Sequence, residues 1–219
     1  MKDPASNKLF DWLLYLQSPI GNVVQVGANT GQEMLAFERY GVDWAIMIEP
    51  LPDAFRELSA RAEGRPRYIP VQALCASQEG VDHKFWIASN EGQSSSMLPP
   101  TGHVKAFPRV KFKSALNLVS TTVDAVVAEV AADHPQLSPA SFDTLLIDVQ
   151  GAELKVLMGA PILLQHVRQV IAEVSDGLYE GGASLEDLQG FLRSFGFRLN
   201  SVRLSREGSG DALFVKREA

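Results

Sequence analysis

The chain has 219 residues, of which 46% are hydrophobic and 21% are charged. This composition is typical of a soluble globular domain and excludes an intrinsically disordered protein. The 20 Lys and Arg against 26 Asp and Glu give a formal net charge of −6, which argues against nucleic acid as the main partner. We expect one domain over residues 1–219.

Cysteine usage and hydropathy indicate the compartment. Cys75 is the only cysteine, so the chain cannot form an internal disulfide bond. The apolar stretch 9–20 contains Asp11 and is shorter than the roughly 20 residues that a membrane span requires. We therefore expect a cytoplasmic protein without a membrane span, in which residues 1–21 form a helical extension.

Apolar runs alternate with helical patterns along the whole chain. In chain order, strands are predicted at 23–26, 44–48, 68–74, 84–87, 145–147, 170–174, 197–204 and 212–215, and helices at 30–41, 52–64, 122–132 and 184–196. The sequence from Thr30 to Glu33 fits a capping box, so we assign Glu33 to the start of the first helix. Strands separated by helices imply right-handed crossovers and predict an α/β fold with a parallel sheet.

Ligands of such sheets bind beyond the carboxyl ends of the strands, where the strand order reverses. The turn Gly27-Ala28-Asn29-Thr30-Gly31 follows the first predicted strand. Its glycines allow a tight turn, and Asn29 tolerates a left-handed backbone better than most residues do. The turn is either a cofactor loop or purely structural.

Acidic residues follow two other predicted strands. Glu49 lies 22 residues after Gly27, a spacing at which a carboxylate can accept the hydroxyl hydrogens of a ribose. The alternative is a solvated acid beside Pro50. Asp148 follows the most apolar predicted strand, where burial would raise its pKa and a neighbouring cation would lower it. Glu153 is either a site residue or an acid of the first helical turn.

Together these segments resemble the FkbM family of S-adenosylmethionine-dependent methyltransferases. The resemblance runs from about residue 23 to residue 174, and no single piece of it is specific alone. The matching segments are VGANTG at 26–31, IEP at 48–50, GQSSS at 92–96, His103 with Phe107-Pro108, and IDVQGAEL at 147–154. Gln25 stands where many methyltransferases carry an acid, and Gln150 where this family often has Glu.

The resemblance implies a Rossmann-like class I methyltransferase: a mostly parallel seven-stranded sheet with helices on both faces, and S-adenosylmethionine as cofactor. The activity implied is methyl transfer to an oxygen, commonly of a sugar or another secondary metabolite. The candidate cofactor contacts are Gln25, Gly27, Ala28, Asn29, Gly31, Glu49, Pro50, Ala76, Ser77 and Asp148.

An alkyl hydroxyl is a poor nucleophile at neutral pH, so methyl transfer to it calls for a general base. The candidates are Asp148, His103 and Glu173. His103 has a side chain that titrates near neutral pH and lies in a predicted loop, where it is either a base or simply solvated. Glu173, near the end of the 170–174 strand, either faces the same site or belongs to a structural ion pair.

Residues 89–121 are expected to form a loop insertion on the acceptor side. Residues 93–123 contain no Asp or Glu, while Lys105, Arg109, Lys111 and Lys113 contribute +4. This segment suits an anionic acceptor such as a nucleotide-linked sugar, or it is a solvated basic strand. The candidate acceptor contacts are Ser94, Ser95, Ser96, Lys105, Arg109 and Glu153.

Two other functions stay open. A nicotinamide-dependent oxidoreductase shares the glycine turn and the strand-end acid, but the full Gly-x-Gly-x-x-Gly spacing is missing. A non-catalytic adapter of the same fold, still able to bind a cofactor, is compatible with Gln25 and Gln150. No spacing of residues indicates a metal site, although some O-methyltransferases use a divalent ion.

Overall fold

The computed structural model describes residues 20–175, 177–204 and 209–216. Apart from Ile20 and Gly21, the predicted N-terminal extension lies outside these residues. The strands are β1 (Val23–Val26), β2 (Ala45–Ile48), β3 (Tyr68–Val71), β4 (Leu74–Cys75), β5 (Asp82–Ala88), β6 (Phe112–Thr121), β7 (Thr144–Ile147), β8 (Gln169–Ser175), β9 (Phe197–Leu204) and β10 (Ser209–Lys216). The α-helices are α1 (Met34–Tyr40), α2 (Pro52–Ala62), α3 (His103–Ala106), α4 (Val123–Asp133), α5 (Glu153–Met158), α6 (Leu163–His166) and α7 (Leu185–Arg193).

The main sheet has seven strands in the order β3-β2-β1-β7-β8-β10-β9. Within this sheet β3, β2, β1, β7 and β8 pair in parallel, and β10 is antiparallel to both of its neighbours. The order reverses between β1 and β7, so the crevice at this point is the expected ligand site of the sheet. The mostly parallel seven-stranded sheet is as predicted.

Helices cover both faces of this sheet. Side chains from one face of the central strands pack with α4, α5, α6 and α7, and those of the other face pack with α1 and α2. The four residues of each of β1, β2 and β7 are all buried. Burial on both faces explains why these strands are continuous apolar runs rather than alternating ones.

A second sheet has three strands in the order β4-β6-β5, and only β6 lies within the region predicted as a loop insertion. The expectation of a loop over 89–121 is wrong for its last ten residues, since β6 occupies Phe112–Thr121 and pairs antiparallel with β5. Most β6 side chains are exposed or half-buried, so the segment lacks the apolar run that marks the central strands. The third predicted strand is also divided, into β3 and the two-residue β4.

Capping residues begin or end several of the helices, as their sequences predict. Ser184 and Asp187 form the capping box that begins α7, and the Thr122 side chain caps α4. The predicted capping box of α1 is wrong, because α1 begins at Met34 and Glu33 makes no capping hydrogen bond. Gly41 ends α1 in the left-handed conformation, as expected. In the part of the chain that the structure describes, no helix is long and apolar enough to cross a membrane.

Candidate functional site

The register of the parallel strands aligns three of the predicted site residues. Val26 of β1 lies beside Ile48 of β2 and beside Ile147 of β7. The residues that directly follow these three, Gly27, Glu49 and Asp148, therefore lie side by side at the carboxyl edge of the sheet, where the parallel strands end. The edge coincides with the reversal of strand order, so the geometry that the sequence predicted is present.

A cavity of about 670 Å³ opens at this edge. This volume is in the range of small-molecule and cofactor sites. Its wall is formed by Val26, Gly27, Asn29, Gln32, Glu33, Leu35, Glu49, Pro50, Arg61, Ala73, Leu74, Cys75, Phe85, Glu91, Gly92, Gln93, Ser95, Met97, Asp148, Val149 and Gln150. Among these described residues there are four carboxyl side chains and one guanidinium. This excess of acids favours a cationic ligand.

The glycine turn brings the ends of three strands close together. The N–H groups of Gly27 and Ala28 both donate to the Ile48 carbonyl at 2.9 Å. A Cβ on Gly27, whose φ is +86°, would lie 1.8 Å from the Asp148 carbonyl oxygen. Only glycine permits this approach. Asn29 has a φ of 44°, as its left-handed tolerance suggested.

Glu49 is a buried carboxylate with fixed orientation. One of its oxygens accepts the Asn29 N–H at 2.9 Å and the other accepts the Leu51 N–H at 2.8 Å. Burial raises its pKa to about 7, although both backbone hydrogen bonds act in the opposite direction. A carboxylate has about four acceptor positions, so two remain for the hydroxyl groups of a ligand.

Asp148 and Glu173 form a half-buried carboxyl pair beside the cavity. A hydrogen bond joins the two carboxyl groups, and desolvation raises the pKa of both. The charge of Asp148 also raises the pKa of Glu173. The acids Glu153 and Asp211 raise the pKa of Glu173 further. Asp148 lines the cavity, whereas Glu173 does not.

The side chain of Gln150 fixes this pair. Its Nε2 donates to Asp148 Oδ1 at 2.8 Å and to Glu173 Oε2 at 2.5 Å. Its Oε1 accepts the Tyr179 hydroxyl at 2.8 Å, and its carbonyl accepts the Ser96 hydroxyl at 2.7 Å. The backbone of Gln150 has a φ of 58°, an uncommon conformation that these contacts maintain. Gln150 therefore positions the carboxyl groups at this edge.

Glu153 supports the turn after β7 rather than lining the cavity. One of its oxygens accepts the N–H groups of Val149 and Gly151, at 3.2 and 3.0 Å. Burial raises its pKa to about 7. Glu153, predicted to contact the acceptor, does not line the cavity.

Gln25 and Glu33 form a second buried polar pair. Gln25 Nε2 donates to Glu33 Oε2 at 3.0 Å. Glu33 lies at the start of α1, as predicted, but its side chain lines the cavity and makes no capping hydrogen bond. Gln25, a predicted cofactor contact, lies behind Glu33 and is 1% exposed.

His103 is neither solvated nor part of the cavity wall. It is buried on α3, where its ring packs against those of Phe107, Phe112 and Tyr179 at centroid distances of 4.9, 5.4 and 5.6 Å. Burial lowers its pKa, which favours the neutral imidazole. The aromatic surroundings indicate a packing role, and the expectation that it lies in a loop was wrong.

The other predicted site residues divide between the wall and its surroundings. Pro50 and Ser95 line the cavity. Gly31 packs against Met34 and Leu58 of the helix layer. Lys105 and Arg109 are exposed. The predicted residues outside the wall are Gln25, Ala28, Gly31, Ala76, Ser77, Ser94, Ser96, His103, Lys105, Arg109, Glu153 and Glu173.

The sequence analysis missed the apolar part of the wall. Ala73, Leu74 and Cys75 take the place expected for Ala76 and Ser77, because β3 ends at Val71 and not at residue 74. Phe85 and Met97 come from β5 and from the residue after the serines. The alternation of β5, with Phe85 buried between exposed or half-buried neighbours, is the signal that could have indicated its contribution.

The family profile of the methyltransferase FkbM domain matches residues 25–199. The chain belongs to the FkbM methyltransferase family. In Sinorhizobium fredii, the protein named 2-O-methyltransferase NoeI is 30% identical over 189 residues, which cover 82% of this chain and 74% of NoeI. Membership of this family and the relation to NoeI support methyl transfer.

Solved structures of methyltransferases share the fold of this FkbM protein. The magnesium protoporphyrin IX methyltransferase ChlM from Synechocystis, solved with S-adenosylmethionine, has a TM-score of 0.53 at 10% identity and covers 97% of this chain and 78% of its own. TrmK from M. capricolum, solved with S-adenosylhomocysteine, has a TM-score of 0.55 at 7% identity and covers 97% of this chain and 68% of its own. At these identities the likeness shows a Rossmann-like methyltransferase fold.

Proposed function

We propose that this chain is an S-adenosylmethionine-dependent O-methyltransferase acting on a hydroxyl of a sugar, glycan or natural-product acceptor. The observation that carries the proposal is the alignment of Glu49 and Asp148 at one sheet edge, around one acidic cavity. The relation to NoeI, which is named a 2-O-methyltransferase, supports oxygen as the acceptor atom.

The wall of the cavity fits the proposed cofactor in charge and in hydrogen bonding. Glu49 would accept the two ribose hydroxyl groups with the acceptor positions that Asn29 and Leu51 leave open. The excess of carboxylates favours the positively charged sulfonium and disfavours the pyrophosphate of a nicotinamide dinucleotide. When bound, the cofactor supplies an electrophilic methyl group.

Asp148 is the general base of this proposal. It lines the cavity and Glu173 does not, so Asp148 is the member of the carboxyl pair that an acceptor hydroxyl in the cavity can reach. The bound cofactor would supply the methyl group to an acceptor hydroxyl held beside Asp148. The hydroxyl proton goes to Asp148, and Gln150 holds its carboxylate in place.

The acceptor class rests on the family resemblance and on charge. Lys105 and Arg109 are exposed within a segment that lacks acids, which suits an acceptor carrying phosphate or carboxylate groups away from the reacting hydroxyl. The net charge of −6 argues against a nucleic acid acceptor. We propose a small-molecule or glycan acceptor in the cytoplasm.

Radiolabelled S-adenosylmethionine tests the proposal. We expect the protein to bind this cofactor and not NAD⁺ in titration calorimetry, and to transfer label to members of a panel of neutral and phosphorylated mono- and oligosaccharides. Asp148→Asn should reduce transfer by roughly 100-fold or more while cofactor binding persists, because general-base assistance contributes about 10²–10⁴ in rate.

Three outcomes would contradict parts of the proposal. Preferential binding of NAD⁺ would indicate an oxidoreductase, and cofactor binding without transfer to any hydroxylated compound would favour the adapter. Unchanged transfer by Asp148→Asn would exclude Asp148 as the base. His103→Phe is the matched control, and we expect transfer to persist in it because His103 does not line the cavity.

A further inference from the structure

Tyr179 is a buried tyrosine whose hydroxyl lies between two carbonyl oxygens. The hydroxyl donates to Gln150 Oε1 at 2.8 Å and to the Ser94 carbonyl at 2.9 Å. Burial, together with the charges of Glu173 and Asp148, raises the pKa of the Tyr179 hydroxyl. The hydroxyl therefore stays protonated near neutral pH and remains a hydrogen-bond donor.

The segment that carries Tyr179 is held by backbone contacts on both sides of this residue. The Leu178 carbonyl accepts the His103 N–H at 2.7 Å, and the Glu180 N–H donates to the Pro99 carbonyl at 2.8 Å. The ring of Tyr179 also packs against that of His103, at a centroid distance of 5.6 Å. The position of the hydroxyl is thus held by contacts that do not involve the amide it binds.

Gln150 presents the two ends of its side-chain amide to different surroundings. Its Nε2 donates to the carboxyl groups of Asp148 and Glu173, and its Oε1 accepts the Tyr179 hydroxyl. If the amide turned over, its oxygen would face two carboxyl groups, and the hydroxyl would lose one of its two acceptors. The hydroxyl therefore favours the orientation in which Nε2 points at the carboxyl pair.

We infer that Tyr179 is a positioning residue for Asp148 and that it acts through the Gln150 amide. This inference rests on the proposed function, in which Asp148 is the general base. The Ser96 hydroxyl holds the backbone carbonyl of Gln150, whereas the Tyr179 hydroxyl holds its side chain. The two contacts together fix the residue that donates to the base.

The electrostatic surroundings of Asp148 make this donor important. Among the described residues, the titratable groups that interact with Asp148 are Glu49, Glu153, Glu173, Tyr179 and Asp211. None of these groups is a cation, so the ionised form of Asp148 depends on the hydrogen bonds that Gln150 and Glu173 supply. Loss of the amide orientation should therefore favour the protonated form of the carboxyl pair.

Carbon-13 NMR of the side-chain carboxyl groups measures the titration of Asp148 and Glu173 and needs no acceptor. Asp148→Asn and Glu173→Gln assign the signals, and the measured quantities are the two apparent pKa values of the pair. Gln150→Met should raise the lower value by about one to two pH units, the usual effect of a lost hydrogen bond to a charged group. Tyr179→Phe, which keeps the ring, should raise it by roughly 0.5 to 1 pH unit because the amide is then free to turn.

The double variant separates an action through Gln150 from a general loosening of the site. With Gln150→Met no amide is left to orient, so adding Tyr179→Phe should change the lower apparent pKa by less than about 0.3 pH unit. Equal shifts by Tyr179→Phe with and without the amide would overturn the inference, as would no shift in either background.

Tyr68→Phe is the matched control. It removes a buried hydroxyl that donates to the Val42 carbonyl, from the first residue of β3 and therefore at the amino edge of the sheet. Both apparent pKa values of the pair should be unchanged in this variant. A shift as large as that of Tyr179→Phe would mean that any buried hydroxyl has this effect, and the inference would fail.

Hydrogen exchange in the wild type tests the same contact without a variant. Both Nε2 hydrogens of Gln150 should exchange with water at least roughly tenfold more slowly than those of the exposed Gln72, because each is held by a carboxyl group. Exchange as fast as that of Gln72 contradicts the inference. Unchanged methyl transfer by Asp148→Asn would instead remove the base from the proposed function and leave the measured coupling of Tyr179 to the pair intact.

Discussion

Glu49 shows how one residue combines anchoring with sensitivity to pH. Two backbone N–H groups fix its carboxylate, yet burial among apolar neighbours raises its pKa to about 7. The protonated form loses acceptor capacity and the attraction for a cation. A cofactor that binds the ionised form therefore lowers the pKa of Glu49 and releases a proton on binding.

We predict that affinity for S-adenosylhomocysteine falls as the pH drops below about 7, approaching tenfold per pH unit as Glu49 protonates. Calorimetry near pH 6.5, in buffers of different ionisation enthalpy, should detect proton release. Glu49→Gln should bind at least about tenfold more weakly at pH 8 and lose most of the pH dependence. A variant that keeps wild-type affinity and pH dependence would exclude Glu49 as the ribose contact.

Individual site residues could be predicted from the sequence where they directly follow a recognisable strand. Glu49 and Asp148 each follow a strand whose apolar run was clear, so their meeting could be predicted. Glu33 could not be placed in the same way, because its spacing from Thr30 fits a capping box equally well. Gln25, which donates a hydrogen bond to Glu33, lies eight residues away on a neighbouring element.

At the scale of the elements, the glycine turn approaches the end of β7 so closely that no side chain fits between them. Gly27 has a φ of +86°, and any Cβ would collide with the Asp148 carbonyl. The turn also donates two hydrogen bonds to the end of β2. Backbone hydrogen bonds thus link the ends of three strands, and the Glu49 carboxylate adds a hydrogen bond from the Asn29 N–H.

We predict that Gly27→Ala destabilises the protein by more than about 3 kcal/mol, since it combines backbone strain with a backbone collision. Gly41→Ala is the matched control. Gly41 also has a positive φ, +72°, but an added Cβ meets nothing within 4 Å. It should cost about 1 kcal/mol, the strain alone. Urea denaturation measures the loss in free energy of unfolding for both variants. Equal losses would contradict the steric collision at Gly27.

The elements that the sequence did not predict share a physical cause. The central strands are buried on both faces and are visible as apolar runs, whereas β6 is mostly exposed and gains its order from pairing with β5. Pairing between distant segments leaves little trace in a single segment. The extent of β3 was overestimated for a related reason, since apolar residues continue from it into the separate strand β4.

For the molecule as a whole, the desolvated acids are the main electrostatic feature. Burial raises the pKa of Glu49, Glu153 and Asp211 to about 7 each. The folded state therefore holds protons that the unfolded chain releases between about pH 4 and pH 7. Because the folded state binds more protons in this range, stability decreases as the pH rises through it.

We predict that the free energy of unfolding of the ligand-free protein is lower at pH 8 than at pH 5.5. Asp211 lies opposite Glu173 across the β8–β10 pair and is not part of the proposed chemistry. Asp211→Asn should raise stability at pH 8 by up to about 4 kcal/mol, at roughly 1.4 kcal/mol per pKa unit, and flatten the pH profile. Glu129→Gln, at an exposed position of α4, should leave the profile unchanged. A wild-type stability that rises with pH would contradict the assignment.

The pairing of β1 with β7 joins Val23 to Thr144 and so closes a loop of more than one hundred residues. Closing such a loop costs chain entropy before any contact compensates for it, and pairings of this kind form slowly. The crevice between these two strands is therefore incomplete in every intermediate that lacks the pairing. Competence for ligand binding is acquired only when the two distant halves of the polypeptide have met.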